Sequence, residues 1–244
     1  TATSGIWQTV FLESVPDDYI KGIKLTPNFD EKTLKVAVDC VGNNEVKVEV
    51  KDGDRVIASA SGDREVTLDV SSCKPWSLES PELYKVFVYY GSDVVESYFG
   101  LRKFSIVEKG GFKLFALNDK PIFNNGLLDQ GYYHKGLYTP ESNESMYKDV
   151  LTAKTLGYNM LRKHIKVEPM RWYYHCDRLG LAVWQDFVNG GGEYNPWHVA
   201  FLPFLGVKHK DYDYKYFSRE QEEGREEYIQ MANDIVESLY NAVS

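Results

Sequence analysis

Residues 121–140 read PIFNNGLLDQGYYHKGLYTP, residues 158–169 read YNMLRKHIKVEP, and residues 179–187 read LGLAVWQDF. Each stretch holds one short apolar run, and a helical pattern separates each run from the next. The apolar runs cover residues 122–128, 159–165 and 181–187. This order of strand, helix, strand, helix and strand predicts a parallel sheet built from βα units.

Polar and charged side chains stand at the end of each apolar run. Asp129 follows the first run, Arg162 and His164 lie late in the second, and Asp186 lies late in the third. In a barrel of βα units, side chains at the carboxyl ends of the strands line the active-site mouth. The sequence therefore predicts that these residues converge on one binding pocket.

The composition is typical of a globular protein and narrows the choice of partner. Hydrophobic residues make up 43% and charged residues 26% of the 244 residues, which excludes disordered and low-complexity classes. This length favours two domains. The formal net charge of -8 repels nucleic acid and anionic membrane surfaces, so neither is expected as a partner. A neutral sugar is the simplest expectation.

Neither a membrane segment nor a disulfide framework is expected. No apolar run approaches the roughly 20 residues of a membrane helix, and the N-terminus lacks a signal-peptide pattern. The three cysteines have no metal-like spacing, so we expect reduced thiols rather than a disulfide or a zinc site. The cellular compartment is left open, because a fragment would have lost any signal peptide.

Residues 15–108 show short runs of alternating apolar and polar residues, separated by turns rich in Gly, Asn and Asp. About seven such strands without a helical period predict an immunoglobulin-like β-sandwich. The apolar stretch at residues 5–13 is expected to be a strand without its neighbours. Residues 74–86, rich in proline and apolar side chains, are expected to pack across one end of the sandwich.

Three helices are predicted in the second half of the chain. Cap residues and apolar periodicity place them between residues 139 and 157, between 168 and 180, and from Ser218 onward. The connection at residues 188–217 has no clear period. It is interpreted either as a wall of the pocket, with Trp197 as a stacking platform, or as a surface excursion packed by its own aromatic rings.

Three βα units are too few to close a barrel. A closed (β/α)8 barrel needs eight units, so an apolar edge of a three-stranded sheet would stay exposed. We expect either the rest of the native chain or another copy, in a homo-oligomer, to cover that edge.

Several stretches, in order and spacing, resemble glycoside hydrolase family 2, which includes β-galactosidases, β-glucuronidases and β-mannosidases. They are SGIWQTVFLE, PWSLESPELYKV, SYFGLRKF, LNDKPIFNNGLLDQGYY, LGYNMLRKHIKVEP and CDRLGLAVWQDF. The resemblance covers nearly the whole chain. Several separate motifs in the right order are far more specific than any one of them.

The resemblance implies an internal fragment of a retaining β-glycosidase, with all-β domains followed by an α/β domain. Residues 1–14 would be the last strand of a missing jelly roll, and residues 15–108 the immunoglobulin-like sandwich. Residues 109–244 would be the first three βα units of an incomplete (β/α)8 TIM barrel. The family's acid/base and nucleophile Glu residues end the fourth and seventh strands, and neither position exists in this chain.

The expected substrate contacts are Asp129, Arg162, His164, Asp186 and Trp197, and none of them is expected to catalyse. By the resemblance, Arg162 matches a family arginine on the second strand, where its planar fork could bind sugar hydroxyls or orient carboxylates. His164 stands one position earlier than the family's usual histidine. No cofactor and no metal is required by the mechanism.

The expected function is hydrolysis of a β-galactoside, β-glucuronide or β-mannoside by the parent enzyme, with this segment inert alone. Retaining hydrolysis needs two carboxyl groups about 5 Å apart, and Asp129 and Asp186 are the nearest local substitutes. One alternative is a non-catalytic carbohydrate-binding or structural module. The other is a small barrel enzyme completed by dimerisation.

Overall fold

The computed structural model describes residues 5, 6, 8, 10–188, 192–210 and 212–244. This part of the chain is mostly β structure, and its strands form four sheets. The first seven strands are β1 (Tyr19–Asn28), β2 (Thr33–Val41), β3 (Val46–Asp52), β4 (Arg55–Gly62), β5 (Glu65–Asp69), β6 (Tyr84–Tyr90) and β7 (Asp93–Phe99).

These seven strands form a two-sheet antiparallel sandwich. One sheet has the order β1, β2, β5 and the other has the order β4, β3, β6, β7. Successive side chains on a strand point to opposite faces, so alternate residues enter the space between the sheets. Along β6, for example, Tyr84, Val86, Val88 and Tyr90 are buried. The predicted strands between residues 20 and 99 are confirmed.

A small antiparallel sheet follows, built from β8 (Phe104–Lys109), β9 (Phe112–Leu117) and β10 (Lys120–Pro121). Asn118 and Asp119 join the last two strands, and both have positive φ, as the tight turn of a twisted hairpin requires. Asn and Asp are residues that favour turns, so the position of this hairpin turn follows from the local sequence.

The parallel sheet contains β11 (Gly126–Asp129), β12 (Met160–Lys163) and β13 (Ala182–Gln185), with β12 in the middle. Helices α1 (Asn143–Thr155) and α2 (Met170–Leu179) connect them. The predicted order of three strands and two helices is confirmed, and each strand is shorter than its apolar run. These three strands do not form a closed barrel.

The start of α1 differs from the prediction. The Thr139 hydroxyl donates to the carbonyl of Gly136 instead of capping a helix. Ser142 and Ser145 form a reciprocal capping box three residues later, so the helix begins at Asn143.

The last helix, α4 (Glu222–Leu239), also begins later than predicted. Ser218 lies outside it in the left-handed region and ends a 3-10 turn at Tyr214–Phe217, while its hydroxyl contacts the carbonyl of Glu193. A π-helical turn at Trp197–Phe201 and a short helix α3 (Leu202–Phe204) precede that 3-10 turn.

The strand predicted at residues 5–13 does not form in the described part of that stretch, and Trp7 and Thr9 lie outside the described residues. Ile6, Val10, Phe11 and Leu12 are all highly exposed there. A strand needs a hydrogen-bonded neighbour, and the described chain offers none here. None of the described helices has the length and apolar character needed to span a membrane.

A buried junction joins the sandwich to the parallel sheet and its helices. Asp177 of α2 is fully buried and accepts hydrogen bonds from the hydroxyl of Tyr98 (2.8 Å) and the backbone amides of Val243 (3.1 Å) and Ser244 (2.7 Å). The Trp76 indole donates to the Asp177 carbonyl at 2.7 Å. One carboxylate thus connects the sandwich, α2 and the C-terminal residues.

Residues 74–86 were expected to pack across the end of the sandwich, and Trp76 does bond the sandwich there, its amide donating to the Leu101 carbonyl at 2.9 Å. The same segment also contributes to the junction. Trp76 and Leu78 pack with apolar residues from both halves, including Leu117, Ala182 and Val243. The sequence pattern identified a buried segment. It did not identify the surface against which that segment packs, since that surface comes from elements distant in sequence.

We expect Asp177→Asn to destabilise the protein by about 1–3 kcal/mol, because an amide NH2 would face backbone donors in a buried site. Urea unfolding near pH 7.5 measures the change. Asp54→Asn, in an exposed hairpin turn, is the matched control and should leave stability unchanged. Equal stability of both variants would show that the junction does not depend on this carboxylate.

A second prediction concerns pH. His175 of α2 is buried between Asn143 (3.0 Å) and the Arg178 guanidinium, which donates to its Nδ1 at 3.2 Å. Burial, assisted by Arg178, lowers the pKa of His175. As pH falls below the ordinary value of about 6.5, the unfolded chain binds a proton that the folded chain excludes, so stability decreases.

His175→Gln should therefore lose less stability than the wild type between about pH 7.5 and pH 5.5. The measurement is urea unfolding at a series of pH values. His134→Gln, at an exposed position, is the control and should keep the wild-type slope. The prediction fails if removing His175 leaves that slope unchanged.

Candidate functional site

The parallel sheet has two faces of different character. Leu128, Arg162 and Trp184 are register partners on one face, and Asp129, Lys163 and Gln185 are register partners on the other. Helix α2 covers the second face, where the Lys163 ammonium lies 4.3 Å from the ring centroid of Trp172. The first face is open, with Leu128 56% and Trp184 43% exposed. We call the face with Leu128, Arg162 and Trp184 the open face, and the face with Asp129, Lys163 and Gln185 the covered face.

An arginine and a carboxylate meet on the open face. Arg162 Nε lies 3.1 Å from Asp186 Oδ1, and Arg162 Nη2 lies 3.0 Å from Asp186 Oδ2, so the guanidinium fork holds both oxygens. These hydrogen bonds and the carboxylate charge raise the pKa of Arg162. Trp184 lies beside the pair in the strand register, and its ring packs on Phe115 at 5.1 Å. The open face therefore offers a fixed charged pair next to exposed aromatic surface.

The covered face holds a buried ionic cluster formed by Asp129, Lys163, Lys166 and Glu168. Lys163 is fully buried, and its ammonium lies 2.8 Å from Asp129 Oδ2 and 2.7 Å from Glu168 Oε1. The Lys166 ammonium lies 2.9 Å from the same Glu168 oxygen. Both contacts to Glu168 are ion pairs. Two cations and two carboxylates thus balance each other away from water.

The ionic cluster fixes the chain where the strands end. Asp129 Oδ1 accepts a hydrogen bond from the amide of Gly131 at 2.7 Å. Gly131 has a φ of +68°, and a Cβ there would lie 2.5 Å from Glu168 Oε1, so only glycine fits. The Gln185 amide donates to the carbonyls of Lys166 (3.1 Å) and Asp186 (2.8 Å), joining the ends of β12 and β13.

The structure brings together Arg162 and Asp186 but not Asp129, which corrects the expectation of one shared pocket. Asp129 points to the covered face, because it pairs in register with Lys163 while Asp186 lies one residue beyond Gln185. His164 directly follows β12, and its amide donates to the Asp129 carbonyl at 2.8 Å. Its ring has no hydrogen-bond partner among the described residues.

Trp197 begins the π-helical turn, where its indole is 63% exposed and packs on Phe201 at 5.1 Å. Within the described part of the chain, Trp197 makes no ring contact and no hydrogen bond with Arg162 or Asp186. Residues 189–191, part of the predicted pocket wall at 188–217, lie outside the described residues.

Sequence reasoning missed the buried lysines and Glu168. Lysine and glutamate are ordinarily exposed, so Lys163, Lys166 and Glu168 gave no reason to expect burial. The available signal was Lys163 inside an apolar run, at a position that alternates with Arg162. Among the residues that the structure describes, no group of three or more His, Cys, Asp or Glu side chains is placed to hold a metal ion.

The fold and site define a β-sandwich protein with an attached βα sheet whose open face carries a charged pair. Residues 18–102 match the family model described as glycosyl hydrolases family 2. The chain is 29% identical over 197 residues to a β-galactosidase of Streptococcus thermophilus, covering 73% of this chain and 19% of that protein. It is 29% identical over 202 residues to a putative β-glucuronidase of Formosa agariphila, covering 75% of this chain and 24% of that protein.

Solved structures share the fold. The β-D-glucuronidase of Dictyoglomus thermophilum superposes with a TM-score of 0.75 at 18% identity, over 93% of this chain and 37% of that one. A glycosyl hydrolase family 2 member from Bacteroides cellulosilyticus gives 0.67 at 18% identity, over 93% of this chain and 30% of that one. By the family match over residues 18–102 and by these relatives, the chain is similar to the glycosyl hydrolases of family 2. It spans 19% and 24% of the two curated relatives described above.

Lys163→Met tests the ionic cluster. Methionine fills the same space without a charge, so Asp129 loses its ion-pair partner and Glu168 keeps only Lys166. We expect a loss of about 3–5 kcal/mol in the free energy of unfolding, as when one partner is removed from a buried ion pair. Lys113→Met, at an exposed strand position, is the control. Urea unfolding of both variants gives the answer, and wild-type stability of Lys163→Met would contradict the balanced-charge account.

Proposed function

We propose that this chain is part of a retaining β-glycosidase and that its parallel sheet begins the enzyme's (β/α)8 barrel. Within that barrel the open face would point to the interior, and the ends of β11, β12 and β13 would form part of the active-site mouth. The match of residues 18–102 to the family model, the similarity to the two relatives and the parallel register of the three strands support this assignment. Residues 15–108 would be the supporting sandwich, and residues 1–14 would belong to a preceding jelly roll.

Arg162, Asp186 and His164 are the proposed sugar contacts, and the fixed Arg162–Asp186 pair is the observation that carries this assignment. The fork presents donors and the carboxylate presents acceptors, which together match the hydroxyl groups of a sugar ring. Because Asp186 holds the guanidinium in place, little side-chain entropy remains to be lost on binding. In this proposal Asp129 supports the strand ends from the covered face, and Trp197 remains a candidate stacking platform.

We further propose that residues 1–244 do not catalyse by themselves. Retaining hydrolysis needs two carboxyl groups on the same side of a sugar, about 5 Å apart. Asp186 lies on the open face, and Asp129 lies on the covered face in an ion pair with Lys163. In this proposal Asp129 is held in the buried ion pair, on the face opposite Asp186, and the two do not act as a catalytic pair. The catalytic carboxylates would come from other strands of the same barrel.

The glycone would be a neutral sugar or a uronic acid. The relatives include proteins named for galactosides and glucuronides, so both substrate classes belong in the assay. A guanidinium at the end of β12 suits either class, since it donates to hydroxyl groups and pairs with carboxylates equally well.

The test is hydrolysis of nitrophenyl β-galactoside, β-glucuronide, β-mannoside and β-glucoside by the full-length protein of the same gene. We expect one glycoside to be preferred, and Arg162→Lys to reduce kcat/KM for it by roughly 100-fold, because lysine lacks the planar fork. Arg55→Lys, on an exposed sandwich hairpin, is the matched control. Residues 1–244 alone should give no turnover.

Three results would each contradict a part of the proposal. Full-length protein that hydrolyses none of the panel would remove the glycosidase assignment for these substrates. An Arg162→Lys variant as active as Arg55→Lys would show that Arg162 on the open face contributes nothing to substrate binding or hydrolysis. Turnover by residues 1–244 alone would contradict the argument about the two carboxylates.

A further inference from the structure

We infer that Tyr132 contacts the sugar in the proposed site and that Lys166 is the positioning residue which holds Tyr132 in place. The inference rests on the proposed function and adds a substrate-facing wall to it. That wall is the loop at residues 131–139, which follows the carboxyl end of β11 and is here called the Tyr132 loop.

The Tyr132 loop is closed by its own backbone. Tyr133 and Leu137 exchange two hydrogen bonds, with amide-to-carbonyl distances of 2.7 Å and 3.0 Å. The Thr139 amide donates to the Gly136 carbonyl at 3.0 Å. Leu137 has a φ of +54°, a region that non-glycine residues adopt only where the surroundings impose it. The loop is therefore built as one defined conformation.

Lys166 ties both ends of the Tyr132 loop to the ionic cluster. Its ammonium donates to the carbonyls of Gly131 and Tyr138, at 2.7 Å each, and lies 2.9 Å from Glu168 Oε1. The side chain is almost fully buried, so these contacts have little competition from water. The rings of Tyr133 and Tyr138 lie 5.3 Å and 4.6 Å from the ammonium. One buried cation thus sets the position of the whole loop.

Tyr132 is the aromatic side chain that the Tyr132 loop exposes to solvent. Its neighbours are anchored, since Gly131 is bonded through both its amide and its carbonyl and Tyr133 is buried. Tyr132 itself is 60% exposed, and its ring meets the ring of Tyr138 edge-on, with 5.9 Å between the ring centroids.

The position of the loop links Tyr132 to the sugar site. The loop leaves β11 at the same sheet edge where His164 follows β12 and Asp186 follows β13, since the three strands are parallel. The C–H face of a pyranose packs on an aromatic ring, and a ring held on a fixed loop loses little entropy on binding. Tyr132 would then select sugars whose apolar face is free to stack.

The first test is kinetic and uses the full-length protein with its preferred nitrophenyl glycoside. Tyr132→Ala should raise KM by about three- to tenfold, with kcat within about twofold, because stacking contributes to ground-state binding. Tyr132→Phe keeps the ring and should restore the wild-type KM. Phe112→Ala removes an exposed aromatic ring on β9, away from the loop, and is the matched control.

The second test separates positioning from a purely structural role. Lys166→Met should speed hydrogen exchange of the amides of Tyr133 and Leu137 by at least about tenfold, and should raise KM as Tyr132→Ala does. The double variant Lys166→Met with Tyr132→Ala should raise KM no further, because the two residues act through one contact.

The outcomes distinguish this inference from the proposed function. A full-length protein without glycosidase activity removes both. An active protein in which Tyr132→Ala has the KM of Phe112→Ala refutes the role of Tyr132 and leaves the Arg162 site untouched. Unchanged exchange in Lys166→Met, or additive effects in the double variant, refutes the positioning role of Lys166.

Discussion

The buried ammonium of Lys163 is the constraint on which the functional end of the sheet depends. A cation without water must be surrounded by carboxylates, and here they come from Asp129 at the end of β11 and Glu168 after β12. These two ion pairs of Lys163 fix the spacing of the strand ends. They also place the Glu168 carboxylate so close to residue 131 that this residue must be glycine. The second lysine, Lys166, then extends the same charge balance into the Tyr132 loop.

This constraint also separates the roles of the two faces. On the covered face, the charged side chains form buried ion pairs that hold the strand ends together. On the open face, Arg162 and Asp186 stay exposed enough to bind a ligand. The junction at Asp177 joins the sandwich to the C-terminal end of α2, and Trp76 packs with Ala182 at the start of β13. The sandwich therefore supports the sheet at the end opposite to the strand ends that carry Asp129 and Asp186. The ring contact between Phe115 and Trp184 joins the hairpin to the open face itself.

The sequence was informative where the pattern is local. Alternation identified the sandwich strands, and Asn118-Asp119 identified a tight turn, because strand period and turn chemistry are properties of neighbouring residues. The order of strands and helices in the second half followed from the same local signals. Helix starts were less accurate, since Ser142 competed with Thr139, and Ser218 was drawn into a contact with residue 193 that local sequence does not encode.

The candidate site was harder to predict because it depends on register. Asp129 and Asp186 both follow apolar runs, and only the pairing of Asp129 with Lys163 and Gln185 shows that they face opposite ways. A shift of one residue in that pairing would have reversed the conclusion. The burial of Lys163 and Lys166 is likewise a consequence of partners brought in by the fold, which no local pattern of lysines reveals.

The central claim is that the open face and the Tyr132 loop together bind the glycone. A crystal structure of the full-length protein with a thio-linked, non-hydrolysable β-glycoside tests it most directly. The account predicts a sugar hydrogen-bonded to Arg162 or Asp186, with its C–H face on Tyr132. A sugar bound elsewhere in the barrel, with no hydrogen bond to Arg162 or Asp186 and with Tyr132 in solvent, would contradict the account.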